Sequence, residues 1–227
     1  MFFINFMIGA CLASHAGVIC DRYLKEDFLL TRSKCNFCKT ELPLLAQIPL
    51  VSYIVLKGKC SYCGSPIPPL YFFIELIGGL AFLKLDLLNL SNIYLAIFLF
   101  YLLVIVCFDY QKQEFPSIFL IPLFSAAFIY WLQTSPAYSL IDALEFFPIC
   151  LILLIYTFFH KLGSGDLIIY IILALMWNPH FANLAFLVGA IFSLVHYFLE
   201  YKYRSRTQPF AFIPYIYLGL VSGLLSF

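Results

Sequence analysis

Long apolar runs separated by short polar breaks recur along this chain, at about 1–20, 67–83, 93–108, 117–132, 142–160, 166–177, 181–199 and 210–227. A helix rises about 1.5 Å per residue, so roughly 20 apolar residues cross a hydrocarbon core of about 30 Å. The pattern predicts an all-α, polytopic integral membrane protein of about eight transmembrane helices. Residues 21–66 break the pattern and form the one sizeable polar segment. The organisation expected is a first transmembrane helix (1–20), a four-cysteine loop (21–66) and a transmembrane helical core (67–227). The sixth run is short. Leu167–Trp177 spans only about 16 Å, so either its helix extends back through the glycine-rich stretch before it or its first residues lie below the membrane surface.

Composition removes the soluble alternatives. Hydrophobic residues make up 63% of the 227 and charged residues 11%, more apolar residue than a soluble domain of this size can cover. Met1–Cys20 lacks the basic start of a secretory signal and is read as a retained helix. The net charge of +1 says little, but its distribution says more. With the N-terminus outside, every Lys and Arg except Lys84 falls on one side, which the positive-inside rule makes cytoplasmic. The loop 21–66 and the basic stretch Tyr201–Gln208 then face the cytoplasm. A lipid bilayer is the expected environment, and no nucleic-acid partner is expected. Pro122, Pro148 and Pro214 predict kinks in their helices. Cys11, Cys20, Cys107 and Cys150 read as small buried hydrophobes.

Inside the polar loop, Cys35-Asn36-Phe37-Cys38 and Cys60-Ser61-Tyr62-Cys63 form two C-x-x-C pairs separated by 21 residues. That is the spacing of a four-thiolate zinc site, in which each pair grips the metal from a tight turn. The alternative is a disulfide or dithiol pair, which a cytoplasmic location disfavours. Four thiolates leave no open position for water, so the expected role of Zn2+ is structural.

Three acids stand in apolar surroundings. Asp166 follows Gly163-Ser164-Gly165, whose glycines permit close packing or strained dihedrals. Asp109 closes the third run, and on the topology above it reaches the same membrane depth as Asp166. Glu75 precedes Gly78-Gly79 in the second run and reads equally as a packing residue. Taken singly, Asp109 marks an interface and Asp166 starts a helix. Taken together, they suit an aspartyl dyad. Two close carboxyls do not both ionise easily, so one can activate water while the other polarises a carbonyl. His160 and Lys161 border the stretch and are candidate helpers.

These motifs together resemble the type IV prepilin peptidase family along nearly the whole chain. Ser14–Arg22 looks like its first-helix motif, although Gly17 stands where asparagine is common. The paired cysteines, the Glu-bearing Ser65–Gly79, Asp109 separated by six residues from Pro116, Gly163-x-Gly165-Asp166, and Pro209–Pro214 are similar to its remaining motifs. The chain departs from the common pattern by lacking acids in Tyr110–Gln113 and by carrying Ser117 and Ile168. The resemblance implies an endopeptidase of the bacterial cytoplasmic (inner) membrane that removes the basic leader of prepilins or pseudopilins. It further implies N-methylation of the new terminus with S-adenosylmethionine. By the same resemblance Asp109 and Asp166 are catalytic and Gly163, Gly165 and Pro116 support them. Cys35, Cys38, Cys60 and Cys63 bind metal, and Glu75 and Gly79 lie in the methyltransferase region. The competing classes are a transporter using the acids as a relay and a non-enzymatic assembly factor. The first is disfavoured because the acids lie away from the membrane midplane and no inverted repeat is visible.

Overall fold

A computed structural model describes residues 1–24, 32–200 and 211–226. Among the described residues the chain is helical, with no strand beyond two isolated bridges in the cysteine loop. Five segments are long and apolar enough to cross a membrane: Phe2–Arg22, Leu90–Lys112, Ser117–Thr134, Leu140–Phe158 and Pro179–Leu199. Three shorter apolar helices complete the eight expected segments: Pro69–Phe82, Ser164–Met176 and Ile213–Ser226. The protein is thus all-α and polytopic. The basic stretch Tyr201–Gln208, together with Pro209 and Phe210 of the last motif, lies outside the described residues.

The chain divides into two compact units, Met1–Leu85 and Asp86–Phe227. In the first, α1 (Phe2–Arg22) packs on α3 (Pro69–Phe82), and α2 (Val51–Val55) is a short helix in the intervening loop. Small residues drive the α1–α3 contact. Gly9, Ala10, Ala13, Ala16 and Gly17 form a buried stripe at helical spacing, and van der Waals packing between close backbones is what joins helices in lipid. A Cβ on Gly9 would overlap the Gly78 carbonyl, and one on Gly79 would meet the Phe6 ring at 2.6 Å. The Asn5 amide, buried at the other end of α1, donates to the Leu85 carbonyl.

The second unit is built around α4 (Leu90–Lys112). Residues 102–109 are buried on every face, because α5 (Leu120–Thr134) and α9 (Ile213–Ser226) both pack on this helix. A helix apolar all round needs such enclosure or lipid. By contrast α6 (Leu140–Phe158) has no buried residue; it begins with a capping box in which Ser139 and Asp142 satisfy each other's amides. The remaining helices are α7 (Ser164–Met176) and α8 (Pro179–Glu200).

Several sequence expectations change here. Of the three prolines, only Pro148 lies in the interior of a helix, beyond its first turn. Pro122 and Pro214 sit in the first turns of α5 and α9, where the missing N–H has no intrahelical partner to lose. Cys20 and Cys107 are buried, but Cys11 is exposed and Cys150 half-buried, since α1 and α6 present these faces outward. α7 does extend back through the glycine stretch to Ser164. Its 13 residues still reach only about 20 Å.

Candidate active site

The site in the second unit forms where α4 ends and α7 begins. α4 runs past the apolar stretch to Lys112, so Asp109 lies in its last turn. Residues 102–109 are enclosed and Tyr110 is exposed; Asp109 is therefore the point at which the buried column meets polar surroundings. Asp166 is the third residue of α7. Its own amide donates to the Gly163 carbonyl at 3.1 Å, while its Oδ2 accepts the Gly163 N–H at 3.2 Å. An acid at this position is favoured by the free amides of a helix start. The fold brings the two carboxyls close enough to interact through charge. They are the buried acids among the described residues, 9% exposed at Asp109 and 6% at Asp166.

Their hydrogen bonding differs. Asp109 Oδ2 accepts the Ile213 N–H at 3.1 Å and its carboxylate also accepts the Phe212 amide, both from the start of α9. Asp166 Oδ1 is buried and has no partner among the described residues. The glycines beside it act by close packing rather than by unusual dihedrals. Gly163 has φ −67°, open to any residue, while a Cβ on Gly165 would lie 2.5 Å from the Phe115 ring. Pro116 begins the 3-10 turn Ser117–Phe119, receiving the Phe119 N–H at 3.1 Å, and so anchors the segment that carries Phe115. His160 and Lys161 are exposed. Two buried carboxyls, one amide-bound and one with a free oxygen, form an arrangement suited to general acid–base hydrolysis.

The first unit gathers the four cysteines. Cys35 and Cys60 each start the same turn: the Cys35 amide donates to the Thr40 carbonyl and the Cys60 amide to the Ser65 carbonyl. The residue after each second cysteine has a left-handed backbone, φ +60° at Lys39 and +69° at Gly64. The four sulfurs lie within 4.8 Å of one another, with Cys35 and Cys63 3.9 Å apart. Four sulfurs at about 2.3 Å from one zinc ion would lie about 3.8 Å apart, so the donor set fits a tetrahedral ion. The amides of Cys38 and Phe37 pull the Cys35 thiol down to about 6, favouring the thiolate that binds metal.

Glu75 and Gly79 face α1 from successive turns of α3. Glu75 Oε2 accepts the Leu50 N–H at 2.7 Å, and its carboxyl also bonds the Ser14 hydroxyl. Both residues are therefore engaged in packing of the first unit. Sequence reasoning missed the amides of Phe212 and Ile213, because backbone donors leave no side-chain signature. The flanking Pro214 was a signal for a helix start, although not for what that start would bind.

Residues 7–87 match the family model of the bacterial peptidase A24 N-terminal domain. The chain is 27% identical over 217 residues to a prepilin leader peptidase/N-methyltransferase of Vibrio cholerae, covering 85% of this chain and 83% of that protein. It is 28% identical over 235 residues to a type 4 prepilin-like proteins leader peptide-processing enzyme of Escherichia coli, covering 96% and 84%. A prepilin leader peptidase/N-methyltransferase of Bacillus subtilis is 25% identical over 238 residues, covering 99% and 94%. No solved structure matches. The chain is thus similar at its N-terminal third to that domain, and over most of its length to prepilin leader-processing enzymes.

Proposed function

We propose that the protein is a membrane aspartyl endopeptidase that removes the basic leader of prepilins or pseudopilins at the cytoplasmic face of the bacterial inner membrane. The observation that carries this reading is the meeting of Asp109 and Asp166, from helices distant in sequence, as the buried acids among the described residues. Each alone has a bland explanation; a buried pair of interacting carboxyls does not. In such a pair one carboxylate takes a proton from water as it attacks the peptide carbonyl, and the other, protonated, donates to the carbonyl oxygen. Gly163, Gly165 and Pro116 hold Asp166 and the segment over it. A prepilin suits this site physically, since its apolar helix sits in the bilayer and its basic leader in the cytoplasm. The distribution of Lys and Arg, with the N-terminus outside, supports the same side.

The relatives' names also carry an N-methyltransferase, and we assign the same second activity to this chain. S-adenosylmethionine, when bound, supplies the methyl group for the newly exposed amine. Glu75 and Gly79 contribute as framework of that region, because Glu75 is bonded to Leu50 and Ser14 and Gly79 is filled by Phe6. Cys35, Cys38, Cys60 and Cys63 hold a structural zinc ion that fastens a loop too small for its own core.

The test is co-expression with a prepilin whose basic leader ends in glycine, following leader loss by gel shift. Asp109→Asn and Asp166→Asn should each slow processing at least about 100-fold while the protein still inserts. Processing at the normal rate by both variants would remove the dyad.

A further inference from the structure

The two carboxyls are held by different donors, and the accounting of α9's first amides explains why. Pro214 has no N–H. The Tyr215 and Ile216 amides both donate to the Phe212 carbonyl, at 3.0 and 3.2 Å. The remaining amides at this helix start, those of Phe212 and Ile213, donate to Asp109. Asp109 therefore caps α9 from a helix 104 residues away in sequence. Two amides and the positive end of a helix favour a charged carboxylate there. Asp166 has a single amide, on Oδ2, and its buried Oδ1 has no partner among the described residues. An ionised oxygen buried without a donor is costly, whereas a protonated one is ready to donate.

We propose that the roles within the dyad are divided: Asp109 is the charged base, Asp166 is the neutral acid acting through Oδ1, and the Ile213 amide is a positioning group for Asp109. The assignment rests on the peptidase reading above. The water oxygen bonds to the scissile carbonyl carbon, its proton passes to Asp109, and the Asp166 proton passes to the carbonyl oxygen. The carbon–nitrogen bond then breaks; the amine takes the proton from Asp109, and one hydroxyl proton returns to Asp166. Both residues finish as they began, and one water has been consumed. The ionisable side chains on the elements packed here include Asp166 and Tyr170 of α7, Cys107, Tyr110 and Lys112 of α4, Tyr130 of α5, and Tyr215 and Tyr217 of α9. Of these, Asp166 is the carboxyl.

The test compares Ile213→Pro with Ile213→Ala in the full-length protein, measuring kcat and KM for a prepilin across pH. Proline is accepted at the first position of a helix, so this variant removes the N–H. Alanine removes the side chain but keeps the amide, and serves as the reference. Losing a donor removes stabilisation of the charged base, so the acid limb of the kcat profile moves to higher pH, by a shift worth roughly tenfold in proton concentration. The alkaline limb and KM should match the alanine reference. A moved alkaline limb, or no movement of either limb, overturns the assignment. If the proline variant does not insert, residual processing by the two asparagine variants decides. Asn at 166 can still donate a hydrogen bond, so Asp166→Asn should retain more processing than Asp109→Asn; equal or reversed residual rates overturn the assignment. The peptidase reading itself falls only if both asparagine variants process normally, a separate outcome.

Discussion

Gly165→Ala is the substitution whose consequence follows most directly from the geometry. The new Cβ would lie 2.5 Å from Phe115 Cε1 and 2.7 Å from Cζ. Ordinary carbon contacts begin near 3.5 Å, so the ring must retreat by about 1 Å. Phe115 lies on the short segment held by Pro116, and Gly165 directly precedes Asp166, so either partner's retreat disturbs the site. Overpacking of this kind costs about 1–3 kcal/mol, against which alanine's better helix propensity returns about 0.5–1. A net loss of about 0–2.5 kcal/mol in thermal or denaturant stability is expected. Processing should fall more, by about 10–100-fold, because an ångström at the proposed catalytic carboxyl matters more than it does in a core. The assay is prepilin processing by wild type, Gly165→Ala, Phe115→Ala and the double variant, each with its stability measured. Phe115→Ala should recover most of the loss in the Gly165→Ala background, as expected for residues in contact. If Gly165→Ala processes normally, or if removing the ring restores nothing, the close-packing explanation of this glycine is wrong.

Two further outcomes concern the first unit. Gly64→Ala meets no atom within 4 Å, so its cost is purely that of φ +69° for a residue with a Cβ, about 1–2 kcal/mol. Zinc competition with a chelator should show affinity reduced by about 5–30-fold, and unchanged affinity would contradict the turn geometry. Glu75→Ala removes the acceptor of the Leu50 N–H and should destabilise the protein by about 1–3 kcal/mol in denaturant unfolding. Glu75→Gln, which keeps a carbonyl oxygen in place, should lose less; equal losses would assign the effect to charge instead.

The legibility of the chain varied with the kind of signal. The eight apolar segments could be read directly, because a helix in lipid must satisfy its own backbone and so declares itself by length and purity. The four-cysteine cluster was equally plain, since metal-ligand spacing is a local property of two turns. The ends of the helices were less legible. α4 continues through Asp109 to Lys112 although its residues turn polar, and hydropathy cannot register a helix that outlasts its apolar stretch. The glycines of the α7 start were legible as small residues, but only the ring of Phe115 distinguishes close packing from unusual dihedrals. Cys11 and Cys150 illustrate the reverse error, because in a membrane helix apolar character does not separate a buried face from a lipid-facing one.

What the sequence determined by itself was therefore composition-borne and local: membrane residence, the number of apolar helices, the paired thiol turns, and which acids stand in apolar surroundings. The tertiary structure decided which groups meet. It enclosed α4 and left α6 without a buried residue, brought Asp109 to Asp166, laid Phe115 over Gly165, and directed the first amides of α9 onto Asp109. The physical reason is that such contacts join residues tens to more than a hundred positions apart. Several of them are made by backbone amides, which every residue but proline possesses, or by the simple absence of a side chain. Neither leaves a mark in sequence until the helices are packed together.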